Sequence, residues 1–495
     1  MHERWNHYPS ETSYDELITE QCESRPGCRH LVEQLANYTE KQLLESQQAM
    51  ELTLQLMGVT FTVYTSEGSG IDRTWPVDII PRVIEAREWR VIEAGLKQRI
   101  QALNMFISDI YGSRNIIRAG KFPPELLSQS KNLRQYCMGV RPPLDQWAHI
   151  CGSDLVRDRD GHLYVLEDNL RIPSGASYTL INRLVMKRVF PDLFQKSNIL
   201  PVDDYPAQLF DMLAALSPRP ADYPSIVVLT PGIYNSAYFE HAYLAEQMGV
   251  EVVMGSDLMV GDDDCVYMRT IEGLERIDVI YRRVDDDFID PETGRADSML
   301  GTPGLIRAWR KGNVAIANAP GCGLADDKVI YAFVPEFIRF YLGEEPKVDN
   351  VPTYRCYIDS ERSYVLAHLH ELVVKPANES GGYGMLIGPF STAREREQFA
   401  HSIRKDPRNF IAQPTLDLST CPTLCNNRFE PRHVDLRPFI LSGTRVHVTR
   451  GGLTRVALRR GTLIVNSSQG GGSKDTWIVD ETTDESEHMN AIQSR

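Results

Sequence analysis

The chain is 495 residues long, with 42% hydrophobic and 24% charged residues and a formal net charge of −14. That ordinary composition excludes a disordered chain, a collagen and a disulfide miniprotein, and the acidic balance argues against the basic footprint of broad nucleic-acid binding. No run approaches the ~18–20 apolar residues of a membrane span, and the first residues lack the apolar core of a secretory leader, so a soluble cytoplasmic protein of about three units is expected.

Residues 1–125 read as a mainly helical N-terminal region. From Arg82 to Ile110 apolar residues such as Val83, Trp89, Ile92, Leu96, Ile100, Leu103 and Ile107 recur at helical spacing. Pro81 suits the first turn of that helix and Gly112 its stop. A strand-like run, 60–64, leads into Glu67-Gly68-Ser69-Gly70, for which an ordinary loop is preferred to a phosphate cradle.

The stretch 126–220 carries two short strand-like runs, 150–156 and 162–167, around Arg157-Asp158-Arg159-Asp160-Gly161, a composition that predicts a hairpin turn. Asp154 and Glu167 fall on its two strands, and Glu167 and Asn169, two apart, share a strand face. Two carboxylates and an amide oxygen are hard donors suited to Mg2+; exposed acids on a hairpin are the competing reading. Ser174 and Ser177 follow closely as acceptor-contact candidates.

The stretch 221–320 reads as a parallel α/β unit: strand 226–229, a helix over 236–248, strand 250–254, and later strands at 266–270, 279–282 and 314–318. Thr230-Pro231-Gly232 is not a dinucleotide fingerprint. His241, beside Glu240, reads as capped or exposed, and Asp262-Asp263-Asp264 and Asp285-Asp286-Asp287 read as solvated acidic turns without calcium-loop spacing.

In 321–479, Lys375 ends the apolar strand 372–376, and Ser380-Gly381-Gly382-Tyr383-Gly384 follows. Glycines let backbone N–H groups approach phosphate oxygens while the lysine supplies a point charge; the order is not that of a P-loop, and a plain hairpin turn is the alternative. Asp435 and Arg437 share a strand face. Residues 466–475 read as a mobile, lid-length loop, with a simple surface loop as the alternative. Cys421 and Cys425, two of nine scattered cysteines, lack partners for a zinc site and read as reduced thiols. Residues 480–495 read as an acidic tail.

Taken in order, these motifs resemble the circularly permuted ATP-grasp family, related to glutathionylspermidine synthase-like ligases. Gly152-Ser153-Asp154 through Glu167-Asp168-Asn169 resembles its metal-binding end. Asp327-Lys328, Val374-Lys375-Pro376 and Ser380–Gly384 resemble its phosphate lysines and glycine loop, and Ile411-Ala412-Gln413-Pro414 its adenine hinge. The lysines here follow the metal motif, which is the permuted order. The resemblance implies an α/β fold with α+β elements, in which 126–220 and 321–479 are two halves of one ATP-grasp module around a pre-ATP-grasp-like unit. It implies ATP and one or two Mg2+ ions, with Asp154, Glu167 and Asn169 as metal ligands. Lys328, Lys375, Ser380, Gly381, Gly382, Tyr383, Gly384 and Gln413 would contact the nucleotide. Glutathionylspermidine synthases carry an arginine two residues before the metal-binding aspartate; Gly152 stands there, so the phosphate clamp falls to Arg437, Arg455 or Arg141. The expected activity is an ATP- and Mg-dependent carboxylate–amine ligase working through an acyl phosphate, on small-molecule or peptide carboxylates and amines and without nucleic-acid or membrane partners. The alternatives are phosphate transfer to a non-carboxylate acceptor and a non-catalytic nucleotide-binding regulator.

Overall fold

In a computed structural model, residues 8, 13–64, 70–219, 223–378, 384–425, 428–463, 465 and 471–480 are described. Strands Ile150–Arg157 and Leu163–Asn169 pair antiparallel as the hairpin expected, and Gly161 in its turn takes φ +85°, a conformation that costs only glycine nothing. Around this hairpin the chain builds a ten-stranded mixed sheet. Its main path runs from Asp349–Asn350 through Leu163–Asn169, Ile150–Arg157, Arg428–Arg437, Leu453–Val456 and Gly472–Val479 to Val77–Glu85. Segments far apart in the chain therefore share one sheet.

Two expectations fail at the end of that path. Residues 82–85 are not helical: Val77–Glu85 is a strand, parallel to Gly472–Val479, and the helix begins at Ala86. Every strand residue but Glu85 is buried, so the period-two signal is lost and a buried strand reads like a helix. Pro81 falls where the register shifts, opposite Asp475, a bulge position that tolerates a missing N–H. Nor is 472–475 a lid: Gly472–Val479 is entirely buried, and Lys474 pairs with Asp78 and donates to the carbonyls of Ile80 and Pro422 at 3.1 and 2.9 Å. Residues 466–470 of that expected loop lie outside the described residues.

The helix Ala86–Tyr111 buries Trp89, Ile92, Leu96, Ile100, Leu103, Phe106, Ile107 and Ile110. Phe106 stacks on Phe337 with ring centroids 4.0 Å apart. Strands Ile226–Leu229, Glu251–Val253, Val279–Arg282 and Ala315–Ala317 make a four-stranded parallel sheet, with helix Tyr238–Met248 linking the first two. Val266–Thr270 instead joins a separate three-stranded antiparallel sheet.

A smaller sheet sets Leu372–Pro376 between Leu386–Ile387 and Phe410–Pro414. Its apolar cluster, including Val365, Leu372, Val374, Ile403 and Ala412, is separate from the two large cores. Helix Ala393–Lys405, started by a Thr392/Glu395 capping box, lays Ala400 and Ile403 into it. The candidate site lies where this smaller sheet meets the hairpin of the larger one. Among the described residues no helix is long and apolar enough to cross a membrane.

Candidate functional site

Asp154 and Glu167 are directly opposed across the hairpin and share its face with Asn169. Asp168, between them, points the other way. It accepts from Arg99 Nε at 2.7 and 2.9 Å and from Ser153 Oγ at 2.7 Å, and Arg99 also donates to Asn350 Oδ1 at 2.6 Å. This buried brace fixes which face Glu167 and Asn169 present. Asn169 Nδ2 donates to the Gly152 carbonyl at 3.2 Å, which leaves the amide oxygen as the acceptor end.

Asp154 is buried and doubly countered. Arg437 forks onto its two oxygens at 2.5 and 2.8 Å, and Arg455 Nη2 donates to one of them at 2.7 Å. Arg455 also reaches its cross-strand neighbour Asp435 through Nε at 2.9 and 3.1 Å. Burial works to raise the Asp154 carboxyl, but Arg437 and Arg455 outweigh it and hold it well below the usual carboxylate range. At Asp435 burial prevails over Arg455 and the shift is upward.

The lysines arrive from the other side. Lys328 Nζ lies 3.5 Å from Glu167 Oε2. It opens the short helix Lys328–Tyr331, where Asp327 accepts from the Val329 N–H at 2.9 Å and is itself gripped by Arg408 at 2.5 and 3.2 Å. Lys375 Nζ donates to Gln413 Oε1 at 2.7 Å across the smaller sheet. Burial pulls the Lys375 ammonium down to about 8, with Glu167 resisting and Lys328 adding to the shift.

The structure thus brings together Asp154, Glu167, Asn169, Lys328, Lys375, Gln413, Arg437 and Arg455. Gln413 is engaged through its side chain with Lys375 and with Thr353 Oγ1, at 3.1 Å. Ser380, Gly381, Gly382 and Tyr383 lie outside the described residues, whereas Gly384 is described, with φ +68°. Arg141 is exposed, and the guanidiniums that reach Asp154 are those of Arg437 and Arg455.

Several secondary readings need correction. Ser174 and Ser177 are not free for an acceptor: Ser174 Oγ takes Arg283 Nη2 at 2.6 Å, and Ser177 Oγ donates to Glu240 Oε2 at 3.0 Å. Glu240 and His241 are buried, Glu240 paired with Arg283 at 3.1 Å and His241 Nδ1 2.9 Å from Thr230 Oγ1. Asp286 is a buried counter-ion of Arg282 at 2.7 Å and half-buried Asp285 holds Arg171 at 3.1 Å, whereas Asp287 is exposed as expected of the turn. Cys421 and Cys425, by contrast, are free thiols, as the sequence reading has them. The glycine pair of the first loop divides, with 65–69 outside the described residues and Gly70 opening a strand.

The braces behind the site, Arg99–Asp168 and Asp327–Arg408, escaped the sequence reading. Alternation gave one usable signal: an aspartate between Glu167 and Asn169 must face the core and requires a buried partner there. Among the described residues no group of three His, Cys, Asp or Glu side chains is arranged to hold a metal ion. The donor set here is instead two carboxylates and an amide, all oxygen, in keeping with the hard cation Mg2+. Glu167 and Asn169 fit it directly; Asp154 shares their face, with both of its carboxylate oxygens taken by Arg437 and Arg455.

The chain is similar to several known proteins. A family model described as circularly permuted ATP-grasp type 2 matches residues 81–457. An uncharacterized protein of Synechocystis sp. is 56% identical over 471 residues, 95% of this chain and 98% of its own length. An uncharacterized Mycobacterium tuberculosis protein is 46% identical over 468 residues, 94% of this chain and 84% of its own length. A Frankia alni protein provisionally named glutamate–cysteine ligase 2-3 is 43% identical over 468 residues, 94% of this chain but 54% of that longer protein. The apo structure of a glutathione synthetase-like effector from Globodera pallida superposes with a TM-score of 0.58 at 13% identity, covering 93% of this chain and all of that one.

Proposed function

The chain belongs to the circularly permuted ATP-grasp type 2 family, and from that premise we propose that it is an ATP- and Mg-dependent ligase joining a carboxylate to an amine. The carrying observation is the convergence of Lys328 and Lys375 on the Glu167 face, opposite a hairpin with an Asp, Glu and Asn oxygen set. The ligase name of the Frankia relatives supports the reaction class, although this chain spans only about half of their length.

Asp154, Glu167 and Asn169 would hold one or two Mg2+ ions, whose chemistry there is to neutralise phosphate charge. Lys328 and Lys375 contact the phosphates as point charges. The sequence resemblance assigns the covering of the phosphates to Ser380, Gly381, Gly382, Tyr383 and Gly384; water must be kept out because an acyl phosphate hydrolyses readily. A carboxylate oxygen of the first substrate attacks the γ-phosphorus and ADP leaves. The amine then attacks the acyl carbon, phosphate departs, and the nitrogen loses a proton. No side-chain nucleophile is required, only positioning and charge.

The test is to incubate the protein with Mg–ATP and pooled carboxylates and amines while following ADP, free phosphate and new masses. ADP and phosphate in equal amounts with a new amide are expected. ADP without free phosphate would point to transfer to another acceptor, and nucleotide binding without turnover to a regulatory protein; either result removes the ligase reading.

A further inference from the structure

We propose that Arg437, and not Arg455, is the arginine that meets the transferring phosphate, and that Gly152 is the seat that holds it there; this rests on the ATP-site reading above. The two guanidiniums share Asp154 but are not equivalent. Arg455 lies between two buried carboxylates, Asp154 and Asp435, and its side chain is 7% exposed. Arg437 is held by Asp154 and, at 3.3 Å, by the carbonyl of Ser174, and its side chain is 14% exposed. Arg455 alone still counters both carboxylates if Arg437 leaves. The reverse departure strands Asp435, and an uncompensated buried carboxylate is costly. Arg437 is therefore the cation the site can release toward a phosphate.

Gly152 explains why Arg437 lies where it does. Its backbone is ordinary strand, paired with Asn169 and Phe439, and has no positive φ that would call for glycine. What glycine supplies is space. A Cβ at 152 would stand 3.2 Å from Arg437 Cδ, 3.4 Å from its Cγ and 3.3 Å from Pro173 Cβ, tighter than ordinary carbon contacts. The aliphatic stem of Arg437 thus lies across Gly152, and a Cβ there forces that stem or Pro173 to shift by a few tenths of an ångström. Glycine inside a strand weakens it and marks such a close approach.

The experiment measures affinity for Mg–ATP and for Mg–ADP by calorimetry, without acceptor, on wild type, R437A, G152A, the double variant and R437K. A group that meets the γ-phosphate raises affinity for ATP and leaves ADP alone. Wild type should prefer ATP by about tenfold or more, the scale of one charge-assisted hydrogen bond. R437A should lose that preference with ADP affinity held within about threefold, and G152A should lose part of it. The double variant should look like R437A, because both act through one side chain. R437K keeps a charge beside Asp154, guards against loss of the fold in R437A, and should still lose most of the preference for want of the fork. Retention of the ATP preference in R437A and R437K, or losses that add in the double variant, would overturn the inference while the nucleotide site stands. Failure of wild type to bind either nucleotide would overturn the ATP-site reading and this inference with it.

Discussion

Burial brings the Lys375 ammonium to about 8, so its charge state depends on pH in the range where binding is easily measured. Below pH 8 the lysine already carries its proton and a docking phosphate finds a full positive charge. Above it the free protein is mostly neutral there, and binding must draw in a proton to make the contact. Nucleotide affinity should be flat below pH 8 and fall by up to about tenfold per unit above it, with close to one proton taken up per nucleotide at pH 9. Calorimetry at pH 9 in two buffers of different ionisation enthalpy reads the uptake; none would remove Lys375 from the phosphate site. That Lys375 ends a strand was legible in the sequence, as was the face shared by Glu167 and Asn169. The Arg437–Asp154 contact was not, because 283 residues separate the partners and only the sheet joins them.

Among elements, the strands Val77–Glu85 and Gly472–Val479 were the hardest to read, and for one physical reason. Burial on both faces erases the alternation that identifies a strand, and a buried cation looks like a surface one in sequence. Lys474, fully buried beside Asp78 and the carbonyls of Ile80 and Pro422, sits in a glycine-rich run that looks like an exposed loop. Lys474→Met takes the cation from buried Asp78, leaving it only the Ile80 and Leu424 N–H groups, and should cost about 3–5 kcal/mol in denaturant unfolding, whereas Lys474→Met with Asp78→Asn, which removes the charge and keeps an acceptor, should recover part of that loss. A Lys474→Met protein as stable as wild type would show that the strand is not packed as described. The hairpin and the parallel strands were legible because turn residues and short apolar runs bound them.

At the scale of the whole molecule, the family assignment and the permuted motif order are borne out by the match over 81–457. That match begins inside one strand of the large sheet and stops before another, Gly472–Val479, which pairs with it. A fragment cut at 81 and 457 would expose Leu453–Val456 as a raw sheet edge and lose the apolar cover of Trp477 and Ile478. It should fail to give a cooperative thermal transition, whereas the intact chain should give one. A well-folded 81–457 fragment would mean that the outer strands are accessories to the fold.

Ligation through the hairpin and the two lysines is tested most directly with an 18O-labelled carboxylate substrate drawn from the pooled assay. One 18O atom should pass from the carboxylate to the released phosphate as the amide forms, and Glu167→Gln should lose both products while keeping the wild-type melting temperature. Unlabelled phosphate, or full turnover in Glu167→Gln, would contradict the account.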